Sequence, residues 1–195
     1  MKIYDDAIPL TIAKQAYVKF PNASWNQYHF YNDGNASKYG QQEGADWGDD
    51  KILWAEVASR IDARIANLAR QCFADYTFYG SGLHYMPQGS FLRRHLDASC
   101  HAKTGWKREY SATLFLNPHY AHGDGGVFTL HDDLTDTTQE VEPIFNRLIL
   151  FRCNEFSSHS VSKVFSDYPR LSFSMFFFSE DEPVHPIRHK AKFYD

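Results

Sequence analysis

The chain has 195 residues, 43% of them hydrophobic and 16% aromatic, with a formal net charge of −4. That length suits one domain around a single core, and that hydrophobic share excludes a disordered chain. The slightly acidic balance argues against a broad nucleic-acid footprint, and no apolar run approaches the roughly 20 residues that a membrane span needs.

Met1-Lys2-Ile3-Tyr4-Asp5-Asp6 carries two acids where a signal peptide has its apolar core, so a soluble, intracellular (cytoplasmic) protein is expected. Cys72, Cys100 and Cys153 have no metal-type or redox pair spacing, and their odd number fits a reducing compartment. A weak helical stretch runs near residues 9–18. Residues 21–50 are rich in Asn, Gly, Gln and aromatics (Trp25, Tyr28, Phe30, Tyr31, Tyr39, Trp47). So long a loop is either a lid over a substrate or a packed structural loop. Trp54, Ala58, Ile61, Ile65, Leu68 and Cys72 then step by four and three, an apolar helical stripe that should back a sheet. Asp49 or Asp50 is available to cap its start, and Glu56, Arg60 and Arg64 form its polar face.

From residue 76 onward strand patterns dominate, over 76–86, 90–98, 108–117, 125–131, 139–144, 146–153, 157–164 and 170–179. Pro87-Gln88-Gly89, Asn117-Pro118 and Gly123-Asp124-Gly125-Gly126 supply turns between them. Many short strands of this kind predict a barrel or sandwich, the double-sheet jelly roll of the cupin type being one such fold. The tail from His185 to Lys192, with Arg188, His189 and Lys190, reads as a solvated terminal segment. The expected architecture is one domain over 1–195: helical support in 1–75, a jelly-roll core in 76–182 and a tail in 183–195.

Within the strand region stands a sparse polar set: His95-Leu96-Asp97, then His159, then Arg170. In a strand, residues i and i+2 share a face, so His95 and Asp97 can aim at one point while Leu96 packs behind. A rolled sheet brings distant strands together, so His159 can complete the set. Two imidazoles and one carboxylate form the facial triad that holds Fe(II) with open positions, although the same donors also suit catalytic zinc. An HxD triplet alone carries little weight in a chain with ten histidines; the order and spacing of the whole set carry more. His119, His122 and Asp124 lie close in a Gly-rich turn and read better as solvated, while His84, His101 and His131 lack a partner pattern. HExxH, P-loop, Rossmann and GxSxG signatures are absent. By alternation Arg170, Ser172, Ser174 and Phe176 share one face, and Leu171, Phe173, Met175 and Phe177 the other. A cation on so apolar a strand requires a partner, either a carboxylate of the chain or one of a ligand.

At these residues the chain resembles the Fe(II)/2-oxoglutarate-dependent dioxygenases, most closely the prolyl hydroxylase branch. The resemblance runs over roughly residues 80 to 182. It includes Tyr85, ten residues before His95; Leu114-Phe115-Leu116-Asn117; Gly125-Gly126-Val127-Phe128; and the segment Glu142 to Phe151. It departs where Phe115 replaces a family tyrosine, with Ser172 a substitute hydroxyl, and where the spacing from His159 to Arg170 is slightly longer. The resemblance implies a double-stranded β-helix (jelly roll, cupin-like) core, mainly β with supporting helices. It implies Fe(II) held by His95, Asp97 and His159, with 2-oxoglutarate as cosubstrate, O2 as oxidant and ascorbate as an optional reductant. Arg170 would grip the distal carboxylate of 2-oxoglutarate, with Tyr85 and Ser172 adding hydrogen bonds. The retained Asp97 favours hydroxylation over halogenation. The implied reaction is hydroxylation of an aliphatic C–H, first of a prolyl residue in a protein or peptide, or else of a free amino acid or other small metabolite. Arg93, Arg94, Trp106 and residues 21–50 are candidates for a substrate wall, against the plainer reading of surface charge and packing. A cupin-like binding protein without oxygenase activity and a zinc hydrolase are the competing classes, and neither gives Arg170 a reason.

Overall fold

The computed structural model describes residues 1–22, 28–30, 42–45, 49–67, 72–77, 80–182 and 187–194. In chain order its elements are β1 (Lys2–Tyr4), α1 (Leu10–Lys19), β2 (Tyr28–Phe30), β3 (Gln42–Ala45), α2 (Lys51–Ile65), β4 (Phe73–Ala74), β5 (Ser81–Met86), β6 (Leu92–Leu96), β7 (Lys107–Phe115), β8 (Phe128–Asp132), β9 (Thr137–Val141), β10 (Leu148–Arg152), β11 (Ser157–Val161), β12 (Arg170–Ser179) and β13 (Lys192–Phe193). The larger sheet runs β1-β10-β7-β12-β5-β3-β2, with β4 also on β12, and the smaller runs β13-β6-β11-β8-β9. All these pairings are antiparallel, the two-sheet jelly roll that the strand pattern predicts.

The alternation along β12 explains the layering. Leu171, Phe173, Met175 and Phe177 lie in one apolar cluster with Ile12, Ala13 and Ala16 of α1 and Trp54, Ala58 and Ile61 of α2. Trp54 stacks on Phe173 at 5.7 Å between ring centroids, so α2 backs the larger sheet as its stripe requires. The opposite face, with Met86, Phe115, Ile149 and Phe151, packs against Leu92, Phe128 and Val161 of the smaller sheet. This inner layer is where the site lies.

Several expectations shift in detail. The helix stops at Ile65, Cys72 lies beyond its end, and Leu68 falls outside the described residues. Asp50 occupies the cap position but makes no capping hydrogen bond. Its carboxylate pairs with Lys19 at 3.3 Å instead, joining the ends of α1 and α2. The strand expected over 76–86 begins only at Ser81; before it the Asp75 carboxylate accepts from the Thr77 N–H (2.8 Å) and hydroxyl (2.7 Å). Such local side-chain bonds turn the backbone out of the ladder. Parts of the expected loop 21–50 are strand: β2 and β3 form a hairpin, and β3 adds to β5 on the larger sheet. The remainder of 23–48, and with it the lid reading, lies outside the described residues.

The expected solvated tail is also corrected. Residues 187–194 lie along the smaller sheet, where β13 pairs with β6; His185 lies outside the described residues. The three cysteines are free. Among the described residues, no helix is long and apolar enough to cross a membrane.

Candidate metal centre

His95 near the end of β6 and Asp97 just after it share a face by alternation, and the register places His159 of β11 directly opposite His95. The donor atoms of His95, Asp97 and His159 all lie within 4.8 Å of one another, close enough for a single cation. Asp97 Oδ1 is 3.6 Å from His159 Nε2 and 3.9 Å from His95 Nε2.

The surroundings prepare these donors. His95 Nδ1–H donates to the Arg93 carbonyl (2.7 Å), and His159 Nδ1 faces the Ser157 carbonyl (3.5 Å). Each bond runs back two residues along its own strand and leaves Nε2 with a free lone pair, the form that ligates a metal. Burial, with His95 beside it, pushes His159 down to about 4 against the pull of Asp97, so the ring is neutral at neutral pH. Burial raises the Asp97 carboxyl, but His159, Arg108 and His95 together hold it below the usual carboxylate range. His159 is thus neutral and Asp97 ionised, and together with the His95 ring they make a donor set of two imidazoles and one carboxylate that fits Fe(II).

Two residues beside Asp97 escape sequence reasoning. Arg108, at the start of β7, lies 3.6 Å from Asp97 Oδ2, and its guanidinium stands 3.7 Å over the Phe176 ring. It engages one carboxylate oxygen and leaves Oδ1 toward the imidazoles. Arg108 Nε is buried without a hydrogen-bond partner among the described residues. Arg188, from the tail, donates to the Asp97 backbone carbonyl (3.3 Å). Neither stands out in sequence, because each contact is made across strands.

Arg170 opens β12 on the same inner face. It is 5% exposed, and no carboxylate among the described residues lies within 4.0 Å of it. Nε donates to the Gly126 carbonyl (2.9 Å), Nη1 reaches Ser172 Oγ (3.3 Å), and the guanidinium lies 5.0 Å over Phe115. Phe115 thus offers the guanidinium a ring face. Burial pushes Arg170 down to about 10. The Gly-Gly pair has a spatial reason: a Cβ on Gly125 would run into the Lys163 carbonyl, and one on Gly126 would meet Arg170 Cδ at 3.0 Å.

Tyr85 is a correction. It pairs with Leu171 and packs in the helix-side cluster, on the opposite face of the sheet from Arg170. The residues of β5 on the site face are His84, paired with Ser172, and Met86, paired with Arg170. Ten residues from Tyr85 to His95 span a turn, so spacing alone does not preserve the face. His84 Nδ1 lies 3.2 Å from Ser174 Oγ, and burial, reinforced by Arg170, pushes it down to about 4. It has no partner pattern in the sequence because its partners, Ser172 and Ser174, come from β12.

Asn117 gives the Leu-Asn pair that follows β7 a physical reason. Its amide donates to the Pro143 (2.9 Å) and Leu171 (3.2 Å) carbonyls and accepts from the Leu171 N–H (2.6 Å), anchoring the strand next to Arg170. Replacing it with Ala strands buried backbone groups, at about 1–3 kcal/mol for each group left bare. Asn117→Ala is expected to lower the urea unfolding free energy by about 3 kcal/mol, and a loss below about 1 kcal/mol would refute this anchoring.

The other polar and aromatic candidates stand as follows among the described residues. Arg94 pairs with Asp133, donates to Ser158 Oγ (2.8 Å) and stands over Tyr194, while Arg93 is exposed. Trp106 packs edge-on against Phe73. His122 pairs with Glu142, His119 stacks on Tyr168, and Asp124 accepts from the Ala121 N–H, so that turn gathers no common ligand point. His101 is bonded to Asp75 at 2.9 Å. A cleft lined by Tyr17, His119, Tyr120, Tyr168 and Arg170 contains none of the three triad residues. A small polar cavity is lined by Asp97, His159 and Arg188.

A jelly roll with a His-Asp-His cluster in its inner layer is the architecture of metal-dependent oxygenases. The description "2OG-Fe(II) oxygenase superfamily" matches residues 81–178, from β5 to β12, and the chain belongs to that superfamily. It is therefore a dioxygenase-family oxidoreductase, and the family implies Fe(II) and 2-oxoglutarate. No curated protein sequence matches it. Among solved structures it is similar to a prolyl-4-hydroxylase from Pseudomonas putida (18% identity, TM-score 0.67, covering 91% of each chain). It is also similar to a Trichoplax adhaerens prolyl hydroxylase in complex with a hypoxia inducible factor peptide fragment (18%, TM-score 0.73, 92% of this chain and 83% of that one). A third is HygX from Streptomyces hygroscopicus with nickel, 2-oxoglutarate and hygromycin B bound (11%, TM-score 0.60, 91% and 82%).

Proposed function

We propose that this chain is an Fe(II)- and 2-oxoglutarate-dependent hydroxylase of an aliphatic C–H bond, acting first on a prolyl residue in a peptide or protein. A free amino acid or other small metabolite is the alternative substrate class. The observation that carries the cosubstrate reading is Arg170, a buried cation without a carboxylate from the described residues. A zinc hydrolase or a plain binding barrel has no use for it.

In this reading His95, Asp97 and His159 hold the metal through the two Nε2 atoms and Asp97 Oδ1. Bound Fe(II) with 2-oxoglutarate supplies the oxidising chemistry, in which O2 is consumed and succinate and CO2 are released. Arg170 takes the distal carboxylate with charge-assisted hydrogen bonds, and Ser172 Oγ steadies its Nη1. Phe115 and Met86 exclude water around the guanidinium, which strengthens that pairing. Arg108 keeps Asp97 ionised and turned toward the imidazoles. The peptide bound to the Trichoplax neighbour favours a peptide substrate, and the hygromycin B bound to HygX favours the alternative.

Anaerobic mixing of the apo-protein with Fe(II) and 2-oxoglutarate is expected to give the weak visible charge-transfer band of the chelate. His159→Ala should abolish the band and Arg170→Ala should weaken it. No band with both reagents present would overturn the oxygenase reading. Succinate release in the presence of prolyl peptides, compared with free amino acids, then separates the substrate classes.

A further inference from the structure

We propose that the C-terminal segment, through Arg188 and Phe193, positions the two metal ligands carried by the end of β6. The inference rests on the metal reading of His95, Asp97 and His159. Without β13, β6 would be the outer strand of the smaller sheet, and His95 would stand on an unpaired, fraying edge. β13 closes that edge, pairing Lys192 with Leu96 and Phe193 with His95. The Phe193 ring lies 5.0 Å from the His95 ring at 33°, which limits rotation of the imidazole.

Arg188 acts on the other ligand. Its Nε donates to the Asp97 backbone carbonyl at 3.3 Å, and its own backbone is clamped to Ser99. There the Ser99 N–H donates to the Arg188 carbonyl (2.8 Å), and the Arg188 N–H donates to Ser99 Oγ (2.8 Å). Arg188 Nη1 lies 3.7 Å from Glu155, at the approach to β11. The same side chain lines the small cavity that Asp97 and His159 share.

The far end of the segment is also tied down. The Tyr194 N–H donates to the Arg94 carbonyl (3.0 Å) and its hydroxyl donates to Asp133 (3.1 Å), which also accepts from the Ser158 hydroxyl (3.0 Å) beside His159. The strap therefore touches the backbone on both sides of the His95-Leu96-Asp97 triplet and reaches the strand of the third ligand. Groups that orient metal ligands typically change metal affinity ten- to hundredfold when removed, by roughly the cost of ordering the ligands at binding.

The test uses Co(II) alone, titrated anaerobically into the full chain and followed by its visible d–d bands, so that no turnover is needed. Arg188→Ala and Phe193→Ala are each expected to weaken Co(II) binding by about tenfold and to alter the band shape, with the far-UV spectrum of the native fold retained. Arg188→Lys, which keeps one N–H for the Asp97 carbonyl, should recover part of the loss. Phe193→Leu, which keeps apolar cover without the ring, serves if Phe193→Ala fails to fold, and should show the altered band. Wild-type affinity and band shape in folded Arg188→Ala and in the folded Phe193 variant would overturn the inference while leaving the metal site intact. Failure of the wild-type chain to bind Co(II) would overturn the metal reading itself.

Discussion

Arg170→Met is expected to raise the KM for 2-oxoglutarate by on the order of 100-fold or more while leaving the thermal stability of the apo-protein unchanged or raised. Truncating one member of a buried, hydrogen-bonded charge pair costs about 2–5 kcal/mol, and every 1.4 kcal/mol is about tenfold in affinity. The apo-protein has no such pair to lose among its described residues. It holds a desolvated guanidinium whose proton affinity is pushed down to about 10 by burial alone. Methionine replaces the aliphatic stem and removes that charge; buried charges replaced by apolar groups are often neutral or stabilising by about 1–4 kcal/mol. The bared Gly126 carbonyl offsets part of this gain. The opposite pattern, strong destabilisation with unchanged cosubstrate use, would identify Arg170 as structural. Titration of succinate release against 2-oxoglutarate, beside a thermal melt without metal, reads both quantities.

Asp97→Ala is expected to eliminate measurable turnover and to remove the stabilisation that metal gives the fold. A ligand that binds only the native state at 100 times its Kd stabilises by about 2.7 kcal/mol, so the wild-type chain should melt several degrees higher with Fe(II) or Co(II) under anaerobic conditions. The variant should show no such shift. Its apo-protein should also be less stable than wild type, because Arg108 then faces the site without the carboxylate 3.6 Å away. A metal-dependent shift of wild-type size in Asp97→Ala would refute its role as a ligand.

These expectations rest on features of different legibility. Period-two and period-3.6 patterning are local properties, so β5 to β12 and both helices are visible in the chain, and so is the shared face of His95 and Asp97. The division of β12 into a helix-facing row and an inner row follows from the same alternation and holds in the structure. That Arg170 needs a counter-charge also follows locally, since a cation in an apolar strand is costly wherever the strand goes.

What alternation along one strand cannot supply is the relation between strands. The resemblance that places Tyr85 at the site rests on its position ten residues before His95, and that stretch crosses a turn, after which parity is reset by pairing. The pairing of Tyr85 with Leu171 decides that it faces the helices and that His84 faces the site. Arg108 is unremarkable at the start of β7 until the fold brings its guanidinium to Asp97. The basic tail looks solvated in sequence because its two-residue strand has too short a pattern to be seen, and its partner lies about 100 residues away in the chain. Asp50 has the composition of a cap, yet Lys19 competes for its carboxylate once the two helices pack. By itself the sequence determined the elements, the ligand types and the need of Arg170 for a partner, because these depend on neighbours in the chain; that no carboxylate of the described residues meets it is decided by the tertiary structure. The tertiary structure decided which His stands opposite which, which face Tyr85 takes and what covers β6, because strand register is set by long-range packing.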